Sequence, residues 1–145
     1  MGFVFGSAMG QRAPGAADRS ERRRELVAGM SAIAAYERDL VTRLIEGVGA
    51  IAGVTIHGIT DRARFASRVP TVSLSIRGAH PRAAAESLAG RGIFAWDGDF
   101  YATGLMERLG KGDTGGVLRL GLVHYNTGPE VDRALGAIEE IARGG

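Results

Sequence analysis

Between residues 117 and 141 the hydrophobic pattern changes from a period of two to one of about 3.6, across the short polar segment HYNT. In VLRLGLV, residues 117–123, Val117, Arg119, Gly121 and Val123 share one face, and Leu118, Leu120 and Leu122 share the other. In the helix that follows, Val131, Leu135, Ile138 and Ile141 form one apolar stripe, and Thr127 and Glu130 have capping-box spacing. A strand with one leucine face running into a helix with one apolar stripe has to bury both against a shared core. The leucine face goes under the helices, which puts Arg119 on the opposite face with Gly121 beside it. A guanidinium is costly to desolvate unless something meets it, so the partner of Arg119 becomes the central question.

The rest of the chain repeats this grammar. From Ser20, read as an N-cap, Leu26, Met30, Ile33, Leu40, Leu44 and Val48 recur near helical spacing, interrupted by Glu37 and stopped by Gly47 and Gly49. This predicts a long helix with its apolar face toward a sheet. VTIHG, residues 54–58, reads as the first strand, and ITDRARFASRV as a polar connection. PTVSLSIRG alternates cleanly, with Val72, Leu74 and Ile76 inward and Ser73 and Ser75 outward. HPRAAAESLAGRG is a short helix with Pro81 in its first turn, IFAW a third strand, FYATGLMERLG another short helix and GKGDTGG a loop. The expected fold is α+β: a small, mostly antiparallel four-stranded sheet with helices packed on one face. Residues 1–19, rich in Gly and Ala with Pro14, read as a flexible tail, and residues 20–145 as one domain.

At 145 residues the chain can build a core of its own. It has no cysteine, which excludes disulfides, thiolate metal sites and a cysteine nucleophile within this sequence and suits a reducing, cytoplasmic location. No window has the apolar length of a membrane span, and the opening MGFVFGSAMG lacks the positive region of a signal peptide. The net charge of +2 is concentrated near the N-terminus, in Arg12, Arg19, Arg22, Arg23 and Arg24. Interleaved Glu21 and Glu25, and the absence of aromatic residues among the arginines, favour a solvated helix start over a nucleic-acid surface.

Several motifs invite chemistry and fail on context. GKGDTG, residues 110–115, fits G-x-G-x-x-G, yet it follows a helix and precedes a strand, the reverse of a dinucleotide site. His57, His80 and His124 lack second ligands at metal-binding spacing, and the DGD at residues 97–99 reads as a turn. Lys111 is the single lysine, flanked by Gly110 and Gly112 in an expected exposed loop, whereas a Schiff-base lysine needs a desolvated pocket. Arg119 stays open between a solvent-facing or internally paired arginine and a fork presented to a substrate carboxylate.

RLGLVHYNTGPEVDRALGAI closely resembles the end of class V aminotransferases and cysteine desulfurases, fold-type I enzymes that use pyridoxal phosphate. GIFAWDGDFYATGLMERLG and RVPTVSLSIRGAHPRAAAESLAGRGI resemble the cysteine desulfurase-like branch, and the similarity extends back to about Ser20. It covers the C-terminal small domain only. The resemblance implies that the large domain, with the cofactor pocket and Schiff-base lysine, is a separate part of the enzyme. It also implies that Arg119 anchors the carboxylate of an amino-acid-like substrate, with Asp99 and Tyr101 lining the entrance. Desulfurases carry their persulfide-forming cysteine in the loop that here reads WDGDFYATGL, and Tyr101 stands near its place.

The expected function is therefore the C-terminal domain of a pyridoxal-phosphate-dependent, class V aminotransferase-like enzyme, with the cofactor an electron sink in the complete protein and none held covalently by this chain. The expected partners are an amino-acid-like small molecule, the large domain and a second copy in a homodimer, without membrane or nucleic acid. The exposed aromatic candidates for such a surface are Phe94, Trp96, Phe100 and Tyr101. His124, Tyr125 and Asn126 are expected to shape the strand-to-helix turn. The alternative is a stand-alone small-molecule-binding or regulatory module without catalytic activity, which rests on fold analogy alone.

Overall fold

The structure, a computed structural model, describes residues 16–144. The expected tail through residue 15, and Arg12 with it, lies outside the described residues. Helix α1 spans Ala16–Gly49, so Ser20 sits inside it and does not cap it. The chain forms two compact units that divide within α1, one ending at Ile33 and the other starting at Ala34. In the first unit Leu26, Val27 and Met30 are exposed, as are Arg22, Arg23 and Arg24. The expected stripe is therefore a core stripe only in the second unit, where Leu40, Val41, Leu44, Ile45 and Val48 are buried. Sequence periodicity gives a helix its apolar side, but only packing neighbours decide how much of it is covered.

The second unit continues with β1 (Val54–His57), a 3-10 turn (Arg62–Ser67), β2 (Thr71–Ile76), α2 (Pro81–Ala89), β3 (Trp96–Gly98), α3 (Thr103–Arg108), β4 (Val117–Gly121) and α4 (Gly128–Arg143). The four strands form an antiparallel sheet in the order β1-β2-β4-β3. Its α+β architecture is the one expected from the sequence.

Val72 pairs with Leu120 and Leu74 with Leu118, so the inward residues of β2 and β4 meet on one face. That face joins α1, α2 and α4 in a single core containing Leu44, Leu88, Val131 and Ile138, all nearly inaccessible to solvent. Burying side chains of this size contributes roughly 1.5–3 kcal/mol each. Val117 points the other way and is buried apart from that core, as is Met106 of α3.

Two elements differ from expectation. The third strand is not residues 93–96 but Trp96–Gly98. The amide of Ile93 donates to the carbonyl of Leu88 (3.0 Å) and Gly92 adopts φ 71°, so these residues finish α2 and pairing starts only at Trp96. The polar connection holds a core residue, Phe65. Asp61 caps the 3-10 turn by accepting from the Ala63 amide (3.0 Å), and the turn drives Phe65 into the core at 4% exposure. One aromatic residue among arginines carries no periodic signal, which is why the pattern alone passed over it.

The strand-to-helix turn follows its sequence closely. Asn126 Oδ1 accepts from the Val123 amide (2.9 Å), and its carbonyl accepts from the Tyr36 hydroxyl (2.7 Å). Thr127 and Glu130 form the capping box, with Glu130 accepting from the Thr127 amide at 2.8 Å. Glu37, the interruption in the α1 stripe, stands 3.9 Å from Nδ1 of His124. Hydrogen bonds from the Thr127 backbone, then its hydroxyl and the Asn126 amide, hold the Glu130 carboxyl below the ordinary glutamate range. A carboxyl lowered on folding stabilises above its unfolded pKa and loses that contribution as the pH falls through its folded value. Glu130→Gln should therefore flatten this part of the acid unfolding curve. Thr127→Ala keeps the backbone N–H and removes only the hydroxyl, so it should return the Glu130 carboxyl part of the way toward its ordinary range in an NMR titration; an unchanged titration would remove the hydroxyl as a cause.

Candidate functional site

The face of the sheet away from the core is built by alternation and register. Arg119 on β4 lies opposite Ser73 on β2 and Trp96 on β3, and Ser73 lies opposite His57 on β1. His57, Ser73, Arg119 and Trp96 therefore form one row across the sheet. Arg119 is half-buried and Trp96 is 73% exposed.

The loop after β3 closes over this row. Gly98 adopts φ 126°, and Phe100 and Tyr101 both adopt left-handed backbone, at φ 55° and 61°. Asp99 Oδ1 accepts from the Tyr101 amide (3.0 Å), and the Asp99 carbonyl accepts from the Ala102 amide (2.9 Å). Left-handed geometry at two successive bulky residues costs on the order of 1–3 kcal/mol each, so the surroundings must enforce it. Gly116, at φ 81°, supplies part of that enforcement: a Cβ there would stand 2.1 Å from the carbonyl oxygen of Gly98. The loop thus lies directly on the glycine that precedes β4.

This loop places the Phe100 ring against Arg119, with the guanidinium carbon 3.7 Å from the ring centroid. Asp97 lies opposite Leu118, on the other face of the sheet, and pairs there with Arg82 of α2 at 3.4 Å, while Asp99 accepts from the Tyr101 amide within its own turn. Among the described residues Arg119 makes no ion pair. Residues 96–101 and Arg119 line an open groove of about 450 Å³, which brings together the three site residues expected from the sequence, Arg119, Asp99 and Tyr101. Tyr101 is fully exposed at its rim. Chemically, the groove offers an unneutralised planar cation beside aromatic surface, a match for a carboxylate held by two parallel N–H···O bonds.

The stacking of Phe100 on Arg119 was not visible in the sequence. The only local signal was the DGD turn, which marks a bend without saying where the following ring goes. Lys111 also differs from expectation: it is half-buried, with its carbonyl accepting from the Gly116 amide (3.0 Å). It lies close enough to His57 to act on it. Burial, then the charge of Lys111, push the His57 imidazole below its ordinary value, and its Nε2 lies 2.8 Å from the Ser75 hydroxyl. His80 caps α2 by accepting at Nδ1 from the Arg82 amide (3.3 Å). Each histidine therefore has a local partner, and among the described residues no three His, Asp or Glu side chains gather in a metal-binding group.

Residues 25–134, which include the whole sheet, match the family of class-V aminotransferases. The chain belongs to that family. It is 40% identical over 114 residues to the aminotransferase-like protein FGM3 of Gibberella zeae, covering 76% of this chain and 27% of that protein. Probable cysteine desulfurase 2 of Mycobacterium leprae is 32% identical over 110 residues, covering 76% of this chain and 25% of that protein. Among solved structures, the apo cysteine desulfurase of Thermococcus onnurineus superposes with a TM-score of 0.71 and 29% identity, over 84% of this chain and 29% of that one. This class-V aminotransferase chain thus spans under a third of the length of the curated relatives it matches. No described helix is long and apolar enough to cross a membrane.

Two outcomes are expected from this geometry. Gly116→Ala should destabilise the chain by about 1–3 kcal/mol in denaturant unfolding, because both its φ and the Gly98 carbonyl oppose a side chain. The emission of Trp96, the single tryptophan, should shift with it. Lys111→Gln should raise the His57 pKa part of the way back in an NMR titration, since burial, the larger cause, remains.

Proposed function

We propose that this chain is the small C-terminal domain of a longer, pyridoxal-phosphate-dependent class V aminotransferase-like enzyme. In this reading Arg119 holds the carboxylate of an amino-acid-like substrate, and Asp99 and Tyr101 line the approach. The observation that carries it is the Arg119 guanidinium: it lies in an open groove without an acidic partner among the described residues. An arginine kept for stability would gain from pairing with Asp99, which lines the same groove but accepts from the Tyr101 amide instead.

The residues in hand do not themselves fit the cofactor. Lys111, the single lysine, sits between glycines in the loop before β4, half-buried at the start of a short 3-10 turn. Cofactor binding is accordingly assigned to the remainder of the longer protein. Phe94, Trp96 and Tyr101, between 73% and 103% exposed, supply apolar surface for that remainder or for a second copy to cover. With no cysteine in the chain, the loop of residues 96–105 carries no persulfide.

In the longer enzyme, Arg119→Lys should lower kcat/KM tenfold or more although charge is kept, because an ammonium does not reproduce a two-pronged contact. A charge-assisted hydrogen bond contributes about 1.5–3 kcal/mol, which sets that scale. Unchanged kinetics in Arg119→Lys and Arg119→Ala, with stability reduced instead, would return Arg119 to a structural role.

A further inference from the structure

We infer that Phe100 is a positioning residue for Arg119: its ring covers one face of the guanidinium and directs the N–H edge into the groove. The inference rests on the carboxylate-binding reading of Arg119 and adds the means by which that arginine is held ready.

An arginine side chain has four flexible torsions, and holding a carboxylate with two parallel bonds requires most of them to be set before the ligand arrives. A salt bridge is the usual way to set them, but it would occupy the very N–H groups the ligand needs. Here the constraint comes from an aromatic face. The guanidinium carbon lies over the Phe100 ring, 3.7 Å from its centroid, a cation–π contact that restrains the cation and uses none of its hydrogen-bond donors. The acid nearest in the loop, Asp99, accepts from the Tyr101 amide, and Asp97 lies on the other face of the sheet with Arg82.

The ring is itself held by backbone. Phe100 takes φ 55° and Tyr101 φ 61°, conformations such residues rarely adopt, and Asp99 ties the turn from inside. Strain that persists at a ligand groove points to a function for the geometry it maintains. The space beyond the cation stays open. A Cβ at Gly121, on the same sheet face, would meet nothing within 4 Å. On the neighbouring strand the half-buried Ser73 hydroxyl has no hydrogen-bond partner among the described residues.

The test uses the complete chain, with propionate as a carboxylate probe and two readouts. The first is the Arg119 Nε–H resonance, assigned by its loss in Arg119→Ala; a stacked ring should displace it upfield. The second is propionate affinity from the emission of Trp96, which lines the same groove. Phe100→Leu should abolish the upfield displacement and weaken propionate roughly three- to tenfold, the scale of a cation–π contact. Phe100→Tyr should restore both, and Phe100→Met, which keeps bulk without a ring, should behave like leucine even if the leucine variant folds poorly. If Phe100→Leu and Phe100→Met keep the resonance and the affinity while Arg119→Ala abolishes binding, the positioning role is overturned and the carboxylate site stands. If propionate binds Arg119→Ala as it binds the unaltered chain, the carboxylate reading fails, and with it the inference.

Discussion

A guanidinium without an acidic partner cannot be placed beneath a helical layer, and the organisation of this domain follows from that cost. On β4, Leu118 and Leu120 lie in the core with Val72, Leu74 and the helices, so Arg119 between them must face the other side of the sheet. The same pleat that gives the helices a leucine floor therefore presents a cation to the open side. Core and site are two faces of one strand, and neither can slip by a residue without exchanging the roles of both.

The loop that follows β3 sets the surroundings of that cation. A solvated arginine would search many conformations, while one paired to Asp99 would have its N–H groups occupied. Here an aromatic ring lies over the guanidinium, delivered by two left-handed residues and an Asx turn, in a loop whose Gly98 and Asp99 backbone packs against Gly116 where no side chain fits. The strain is local, and the rigid sheet beneath it absorbs that strain because Trp96, Asp97 and Gly98 are paired along β4. The remaining polar groups of the face are largely engaged: His57 with Ser75 across β1 and β2, and Lys111 through its carbonyl to Gly116.

Class-V aminotransferase relatives are more than three times the length of the aligned segment. Trp96 and Tyr101 line the groove and Phe94 a separate hollow beside Leu120 and Leu122, and all three rings are strongly exposed.

Much of this was legible in the residues. Alternation in β2 and β4, the capping box at Thr127 and Glu130, and one-sided stripes on α2 and α4 are local patterns with periods set by backbone geometry, so they determined the α+β class, the leucine face and the outward direction of Arg119. Three other features are tertiary. The third strand moved to Trp96–Gly98 because Leu88 needed a donor from Ile93, a competition between helix end and sheet edge that no period records. Phe65 entered the core from a polar stretch because a capped turn aimed it there, and the α1 stripe was covered only from Leu40 onward. The ring on Arg119 belongs to the same class: Phe100 and Arg119 are far apart in sequence, and they meet only because β3 pairs with β4 and the strained turn folds back over that pair. Sequence by itself determined which way the arginine faces, because a strand has only two sides. Tertiary structure alone decided what it meets there, because contact between distant residues depends on register and turn geometry.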